Sequence, residues 1–344
     1  MCIRDRHSLG ASPELMAAAA DFAVKLGRVC FQSHDLFRLF GSEGQEVLCV
    51  LTGRFHRNAD ELGFPCVGDW VLYRPTSEGR GVIEEVLTRK SLLVRVSAGE
   101  SGRPQSLAAN VDWAFVVTSM DADFSPRRLE RYLSLIQVGG ARPALLLSKA
   151  DLASNPEEYL AAARALLPEG PVLALSTRSG QGMADFEALL MPSETGVFLG
   201  SSGVGKSTLI NYLLRSEVQV TQQARSEDAK GRHTTTARHL LLASGDRVLI
   251  DTPGMRELQL DPEAVDITVV FPEIIELMEH CRFSDCRHHS EPGCGVKEAL
   301  TGGTLSSARW DSYQKLLQEQ QQQRAQQQRA QENRAKYKRI RRGV

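Results

Sequence analysis

The 344-residue chain is longer than a single domain usually runs, and at about 150 residues per domain it should hold two or three. With 42% hydrophobic and 24% charged residues it has the composition of a soluble globular protein, and no run reaches the ~18 uninterrupted apolar residues of a membrane helix. A net charge of -1 excludes a polycation that coats nucleic acid, although residues 315–344 hold nine Lys or Arg against two Glu, a local +7 that can contact phosphates.

The first ten residues carry no pattern, residues 1–24 read as an N-terminal extension, and "ELMAAAADFAVKLG" (14–27) is too short and too charged to span a bilayer. Over 25–106 short apolar runs alternate with turn residues ("GRVCF", "EVLCVLTGRF", "VGDWVLYRP", "GVIEEVL", "SLLVRVS"), which predicts a small β-barrel. An OB-type barrel fits the length, but strand counting does not separate it from an SH3-like one. From 107 to 262 the rhythm changes to strands alternating with helices. "VDWAFVVTSM", "ARPALLLSKADL", "PVLALST" and "TGVFLGSS" are near-continuous apolar strands, separated by the helical segments "SPRRLERYLSLIQVGG", "PEEYLAAARALLP" and "MADFEALL". That order predicts a doubly wound α/β domain with a parallel sheet. Residues 263–344 carry the helix "PEIIELMEH", a Cys/His cluster and a Gln/Arg-rich C-terminal stretch that reads as an exposed helix or a disordered tail.

Five motifs carry chemistry. Gly200-Ser201-Ser202-Gly203-Val204-Gly205-Lys206-Ser207, followed by Thr208, fits G-x-x-x-x-G-K-[ST] between a strand and a helix. Such a loop turns backbone N–H groups toward phosphate oxygens, the Lys reaches the β- and γ-phosphates and the Ser ligates magnesium. "LIDTPG" closes the strand after it, with Asp251 available to magnesium and the Gly254 amide to a γ-phosphate. "GRHTTT" lies between these two, and a threonine hydroxyl is wanted there on magnesium; Thr235 is chosen over Thr234 and Thr236. "SKAD" offers Ser148, Lys149 and Asp151, whose carboxylate can accept from the N1–H and exocyclic amine of guanine, a pair that adenine lacks. "LST", with Ser176 and Thr177, ends the next strand, where a backbone contact to the guanine O6 is expected.

The seven cysteines do not read as a disulfide framework, being odd in number and scattered. Three fall in Cys281-x4-Cys286-x-His288-x5-Cys294, three thiolates and an imidazole suited to closed tetrahedral zinc, with His280 and His289 as alternatives for the nitrogen. Four protein ligands leave no open position, so such a zinc would be structural.

Together the nucleotide motifs resemble the consensus set of a Ras-like GTPase in a different order: the base motifs come first, and the phosphate loop, threonine and DTPG follow. That is a circular permutation. With a barrel before it and the Cys/His cluster after it, the chain resembles the RsgA/YjeQ family of small-subunit-dependent GTPases over residues 25–320. The residues that carry the resemblance are "VGDWV", "GSSGVGKSTLIN", "GRHTTT", "DTPGMRE" and "CRFSDCRHHSEPGC". The resemblance implies GTP hydrolysis with magnesium, one zinc, and late maturation of the 30S subunit through contact with 16S rRNA. A cytoplasmic monomer is expected. Two departures stand out. Ser148 occupies a position where the family more often has Asn, and Met255 one where Ras has a water-orienting Gln, so intrinsic hydrolysis should be slow. His233 is a candidate for the water-positioning role beside Lys206, Thr235 and Gly254; the alternative is a loop histidine with no catalytic part. Other readings of the motifs are a nucleotide-gated adaptor for a protein partner, or a P-loop ATPase or kinase with a zinc module.

Overall fold

The computed structural model describes residues 9–18, 24–33, 36–41, 44–53, 55, 62–76, 79–96, 104–214, 238–251, 267, 271–289, 291–307, 309–318, 320, 321 and 325. They fall into two compact units, the larger holding the described residues up to Asp251 and the smaller those from 267 onward.

In the larger unit, β1 (Lys25–Ser33), β2 (Leu36–Phe40), β3 (Glu46–Leu51), β4 (Trp70–Pro75) and β5 (Arg80–Val86) form a barrel. Side chains on a strand alternate between faces. Thus β2 turns Phe37 and Leu39 into the barrel and Leu36 and Arg38 outward. The strands close in the order β1-β2-β3-β5-β4-β1, with β3 and β5 parallel and the other pairs antiparallel. This closure is of OB type and resolves what strand counting left open. Two details differ from the sequence reading. "LFRLF" is a barrel strand that the reading passed over, because it is short and half polar. "SLLVRVS" supplies β6 (Leu92–Val96), which pairs with β7 (Pro104–Ala109) as a separate two-stranded sheet rather than with the barrel.

The remaining strands are β8 (Trp113–Ser119), β9 (Arg142–Ser148), β10 (Val172–Ala174), β11 (Thr195–Leu199), β12 (Arg238–Ala243) and β13 (Arg247–Asp251). Five of them run parallel in the order β10-β9-β8-β11-β13. Strands buried on both faces must be apolar almost throughout, and every residue of β11 is buried, as are all of β8 but Trp113. Helices α2 (Pro126–Val138), α3 (Pro156–Leu166), α4 (Met183–Leu189) and α5 (Lys206–Leu213) connect and cover them. At the centre of the core, the Phe115 ring meets Phe186 edge-on at 5.4 Å and Phe198 tilted at 5.2 Å. The antiparallel strand β12 borders β13 on one side and β1 on the other, through Phe31↔His239 and Gln32↔Arg238. Barrel and α/β domain therefore share one eleven-stranded sheet.

A second contact joins them. Leu9 and Ala11 are buried with Leu26 and Trp70, and Leu15 and Met16 of α1 (Pro13–Ala18) pack against that group, so part of the patternless N-terminal extension belongs to the fold. Beneath it lies Arg28, 1% exposed. Its Nε donates to Gly68 O at 3.2 Å, and its Nη2 to Thr195 Oγ1 at 2.8 Å and Asn110 O at 3.3 Å; Nη1 donates to Leu9 O. Burial brings its pKa down to about 10, opposed by Asp112 and Asp69, so it stays charged at neutral pH. The "VGDWV" segment supplies the rest of the joint. Gly68 has φ of +97°, and a Cβ there would sit 2.1 Å from Ala109 O. Fully buried Asp69 takes a two-pronged ion pair from Arg89, at 2.7 and 2.8 Å, and accepts from Cys66 N at 2.7 Å.

The smaller unit consists of α6 (Pro272–Glu279), the Cys/His loop, α7 (Gly295–Gly302) and a helical run over 309–318. Among the described residues its apolar centre is slight: Phe271, Ile274, Val296, Ala299, Leu305, Trp310, Tyr313 and Leu316.

Arg28→Ala removes the guanidinium that bonds three carbonyls and a hydroxyl in a buried site, of which, among the described residues, only the Gly68 carbonyl keeps a second donor, from Asn110, and should cost about 3 kcal/mol or more. Removing exposed Arg74, which pairs with Glu84 at 2.8 Å, should cost under about 1 kcal/mol. Denaturant titration of both variants measures the contrast.

Candidate functional site

Strand β11 delivers the glycine loop. Gly200 leaves it at φ +135°, where a Cβ would lie 2.1 Å from Val117 O, so the loop starts directly on the backbone of β8. Gly203 (φ +84°) and Gly205 (φ +98°) take left-handed conformations that free backbone N–H groups to converge, and buried Val204 anchors the turn. Gly205 caps α5, whose first turn presents Lys206, Ser207 and Thr208; the last two are exposed, as is Ser202, while Ser201 is half-buried. Lys206 Nζ folds back on the loop, donating to Gly200 O at 2.6 Å and also to Ser201 O. Burial lowers its pKa, with Asp251 and Asp123 opposing the shift. The half-buried Asp251 ends β13, one parallel strand away from β11.

On the other side, β9 ends in Ser148 and leads into Lys149, which adopts φ +58°. Ser148 Oγ donates to Val204 O at 2.6 Å, joining the base motif to the glycine loop. Lys149 Nζ pairs with Asp121 at 3.1 Å, and Asp151 is exposed. Ser176 is buried, with its Oγ accepting from Ser179 N at 3.1 Å, and Thr177 is exposed beside it. Ala150 N donates to Leu175 O at 3.1 Å, which zips the two base loops together. Thr234, Thr235, Thr236, His233, Gly254 and Met255 lie outside the described residues.

In the smaller unit, the ligand atoms of Cys281, Cys286, His288 and Cys294 all lie within 4.8 Å of one another. Bonds of ~2.3 Å to sulfur and ~2.0 Å to nitrogen in a tetrahedron would set sulfurs about 3.8 Å apart and sulfur about 3.5 Å from nitrogen. The Cys281 and Cys294 sulfurs are 3.9 Å apart, and His288 Nδ1 is 3.5 and 3.4 Å from them. The donor set fits one zinc, with Nδ1 as its nitrogen. His280 instead places Nδ1 2.7 Å from Glu276 O, and neither it nor His289 joins the group. Cys294 also caps α7, its sulfur accepting from Lys297 N at 3.4 Å. The barrel cysteines are different: Cys30, Cys49 and Cys66 are buried thiols whose pKa burial raises, to about 12 for Cys49.

The sequence reading missed several supporting groups. Asp121 is held by Ser119 Oγ at 2.7 Å and Asp123 N at 2.8 Å, and these contacts, with Lys149, lower its pKa. Arg128 pairs with Asp123 at 2.9 Å, beside Tyr132, which bonds the Gly200 backbone. Glu291 accepts from Arg287 N at 3.1 Å and His289 N at 3.0 Å, bracing the Cys/His loop. The dense acidic run "DAD" after β8 and the Glu within "HHSEPGC" were the available signals.

A phosphate loop on an interior strand of a parallel sheet, with base motifs and an OB barrel preceding it in the chain and a Cys/His module following it, defines a circularly permuted P-loop GTPase. A model of the RsgA GTPase family matches residues 86–261, and the chain belongs to that family. It is 43% identical over 306 residues to the small ribosomal subunit biogenesis GTPase RsgA of Opitutus terrae, covering 85% of this chain and 83% of that protein. To the protein of that name from Mesorhizobium japonicum it is 47% identical over 258 residues, covering 74% and 73%. Among solved structures it resembles YjeQ from Thermotoga maritima, with a TM-score of 0.64 and 28% identity, covering 86% of this chain and 98% of that one. YloQ, described as a circularly permuted GTPase, follows with a TM-score of 0.60 and 25% identity, covering 88% and 97%.

Gly200→Ala forces the loop off β8 and should cost about 1–3 kcal/mol and abolish nucleotide binding. Gly203→Ala meets open space and should cost only the strain of its φ, about 1 kcal/mol; fluorescent-nucleotide titration and denaturant melts separate the two. Chelation should open the small unit to protease between residues 271 and 318 while nucleotide binding persists. A His288→Ala variant that kept its metal and its melting profile would argue against four-residue ligation.

Proposed function

We propose that this chain hydrolyses GTP to GDP and phosphate, is stimulated by the small ribosomal subunit, and acts in late maturation of that subunit through contact with 16S rRNA. The observation that carries this reading is the meeting of three motifs, distant in sequence and permuted in order, at the carboxyl ends of β9, β11 and β13. In open parallel sheets, ligands bind at such a point. The names of the relatives support the ribosomal role.

In this reading the backbone N–H groups of Gly200 to Ser207 and the positive end of α5 hold the phosphates. The Lys206 ammonium exchanges the Gly200 and Ser201 carbonyls for β- and γ-phosphate oxygens. Asp151 accepts from the N1–H and amine of guanine, the Lys149 stem covers the base, and the loop of Ser176 and Thr177 borders it. Ser207, Thr235 and Asp251 would hold magnesium, which when bound neutralises charge developing on the phosphates. The Gly254 amide senses the γ-phosphate, and His233 is the candidate for positioning water. Cys281, Cys286, His288 and Cys294 would hold a zinc, which when bound would fix a module whose apolar centre is slight. The functional divisions are an N-terminal region over 25–106 that holds the barrel, a GTPase domain over 107–262 and a zinc-binding domain with its basic tail over 263–344. The protein works as a cytoplasmic monomer.

Purified 30S subunits should raise GTP turnover well above the basal rate, and Lys206→Ala should remove both rates. Unchanged turnover with 30S would favour a protein-adaptor role instead. Asp151→Asn replaces a double acceptor with a donor and an acceptor, so its preference should move from GTP toward XTP, whose base carries a carbonyl in place of the amine. Competition binding against both nucleotides measures the switch.

A further inference from the structure

Guanine offers a protein two edges. The six-membered ring carries the N1–H and amine donors, and the five-membered ring carries N7, which only accepts. Reading N7 therefore takes a donor from the protein.

Ser148 is the residue of the base motif that touches the phosphate loop, and it is 6% exposed. Its hydroxyl has one proton. Both protein groups bonded to Oγ are carbonyls, Val204 O at 2.6 Å and Thr118 O at 3.3 Å, so the proton is committed to the protein and the remaining lone-pair capacity can only accept. The Lys149 ammonium directs one of its three N–H groups to Asp121, whose carboxylate Ser119 and Asp123 hold in place. Among the described residues, Asp151 has no hydrogen bond or ion pair, and a carboxylate is an acceptor.

We propose that Ser148 is a tether between the base strand and the phosphate loop rather than a reader of the base, and that this GTPase recognises guanine by its N1–H and 2-amino edge while leaving N7 unread. The inference rests on the assignment of residues 148–151 as the base motif. An asparagine at 148 would differ in kind. Its amide has two N–H groups, one for Val204 O and one for N7, and Gly205 leaves room, since even a Cβ added to it would stay 3.8 Å from Ser148 Cβ.

The test is displacement of fluorescent GDP from the full chain by GTP, 7-deaza-GTP and ATP. For the natural protein, 7-deaza-GTP should match GTP within about twofold, and ATP should compete poorly. Ser148→Asn should acquire a penalty against 7-deaza-GTP of roughly five- to tenfold, the worth of one hydrogen bond. Ser148→Ala should weaken GTP and 7-deaza-GTP by the same factor, and Ser148→Thr, which keeps the hydroxyl, should restore both. If 7-deaza-GTP binds the natural protein fivefold or more weakly while ATP stays a poor competitor, N7 is read and the proposal fails with the guanine assignment intact. If ATP competes as well as GTP, the guanine assignment itself fails and the proposal goes with it. Should Ser148→Asn not fold, the comparison on the natural protein decides alone.

Discussion

A guanidinium taken out of water must find acceptors for its N–H groups, and Arg28 finds them on four separate stretches of chain. Among the described residues its acceptors are carbonyls and a hydroxyl, and the neutralising charges of Asp112 and Asp69 act on it without a direct bond. The geometry is therefore demanding. The N-terminal segment at Leu9, the turn at Gly68, the connector at Asn110 and the first residue of β11 must meet at one point, or a buried charge is stranded. Asn110 answers with a positive φ of 55° and a second bond to Gly68 O at 3.1 Å. Asp112 adds two more bonds to the start of β11, accepting from Thr195 N at 2.8 Å and donating its own N–H to Thr195 O at 2.9 Å. The strand that ends in the phosphate loop is thus pinned at its other end to the barrel.

The two units are stabilised in different ways. The larger buries a wide apolar sheet and can tolerate a buried arginine and a buried Asp69–Arg89 pair within it. The smaller has few apolar residues, of which Trp310, Tyr313 and Phe271 stack or meet edge-on, with the His288 ring 5.7 Å from Trp310. Its cysteine cluster has the geometry to hold one metal ion, and Cys294 links that cluster directly to a helix start.

The features legible in the sequence were those whose physics is local. A glycine loop announces itself because only certain residues allow its backbone, and the thiolates of the cluster lie close along the chain. The parallel strands were legible too, because burial on both faces demands unbroken apolar runs. What escaped depended on partners far away in sequence. In "GRVCF", Arg28 looks like any outward polar residue of a strand, and nothing nearby says that its acceptors are Leu9, Gly68, Asn110 and Thr195. Nor does strand periodicity say that β12 pairs with β1, or that "SLLVRVS" leaves the barrel for β7. Ser148 was legible as a departure from the family pattern, but its bond to Val204 was not, since 56 residues separate them.

The place of β11 between β8 and β13 bears on how the molecule is made. A chain synthesised from its N-terminus produces the barrel first, then β8, β9 and β10 with their helices, and only afterwards the strand that belongs in the middle. Until β11 emerges, β8 lacks a neighbour on that side and Arg28 lacks its threonine. The ribosome that builds this protein therefore releases the strands that end in Ser148 and Ala174, with an exposed sheet edge beside them, well before there is any glycine loop.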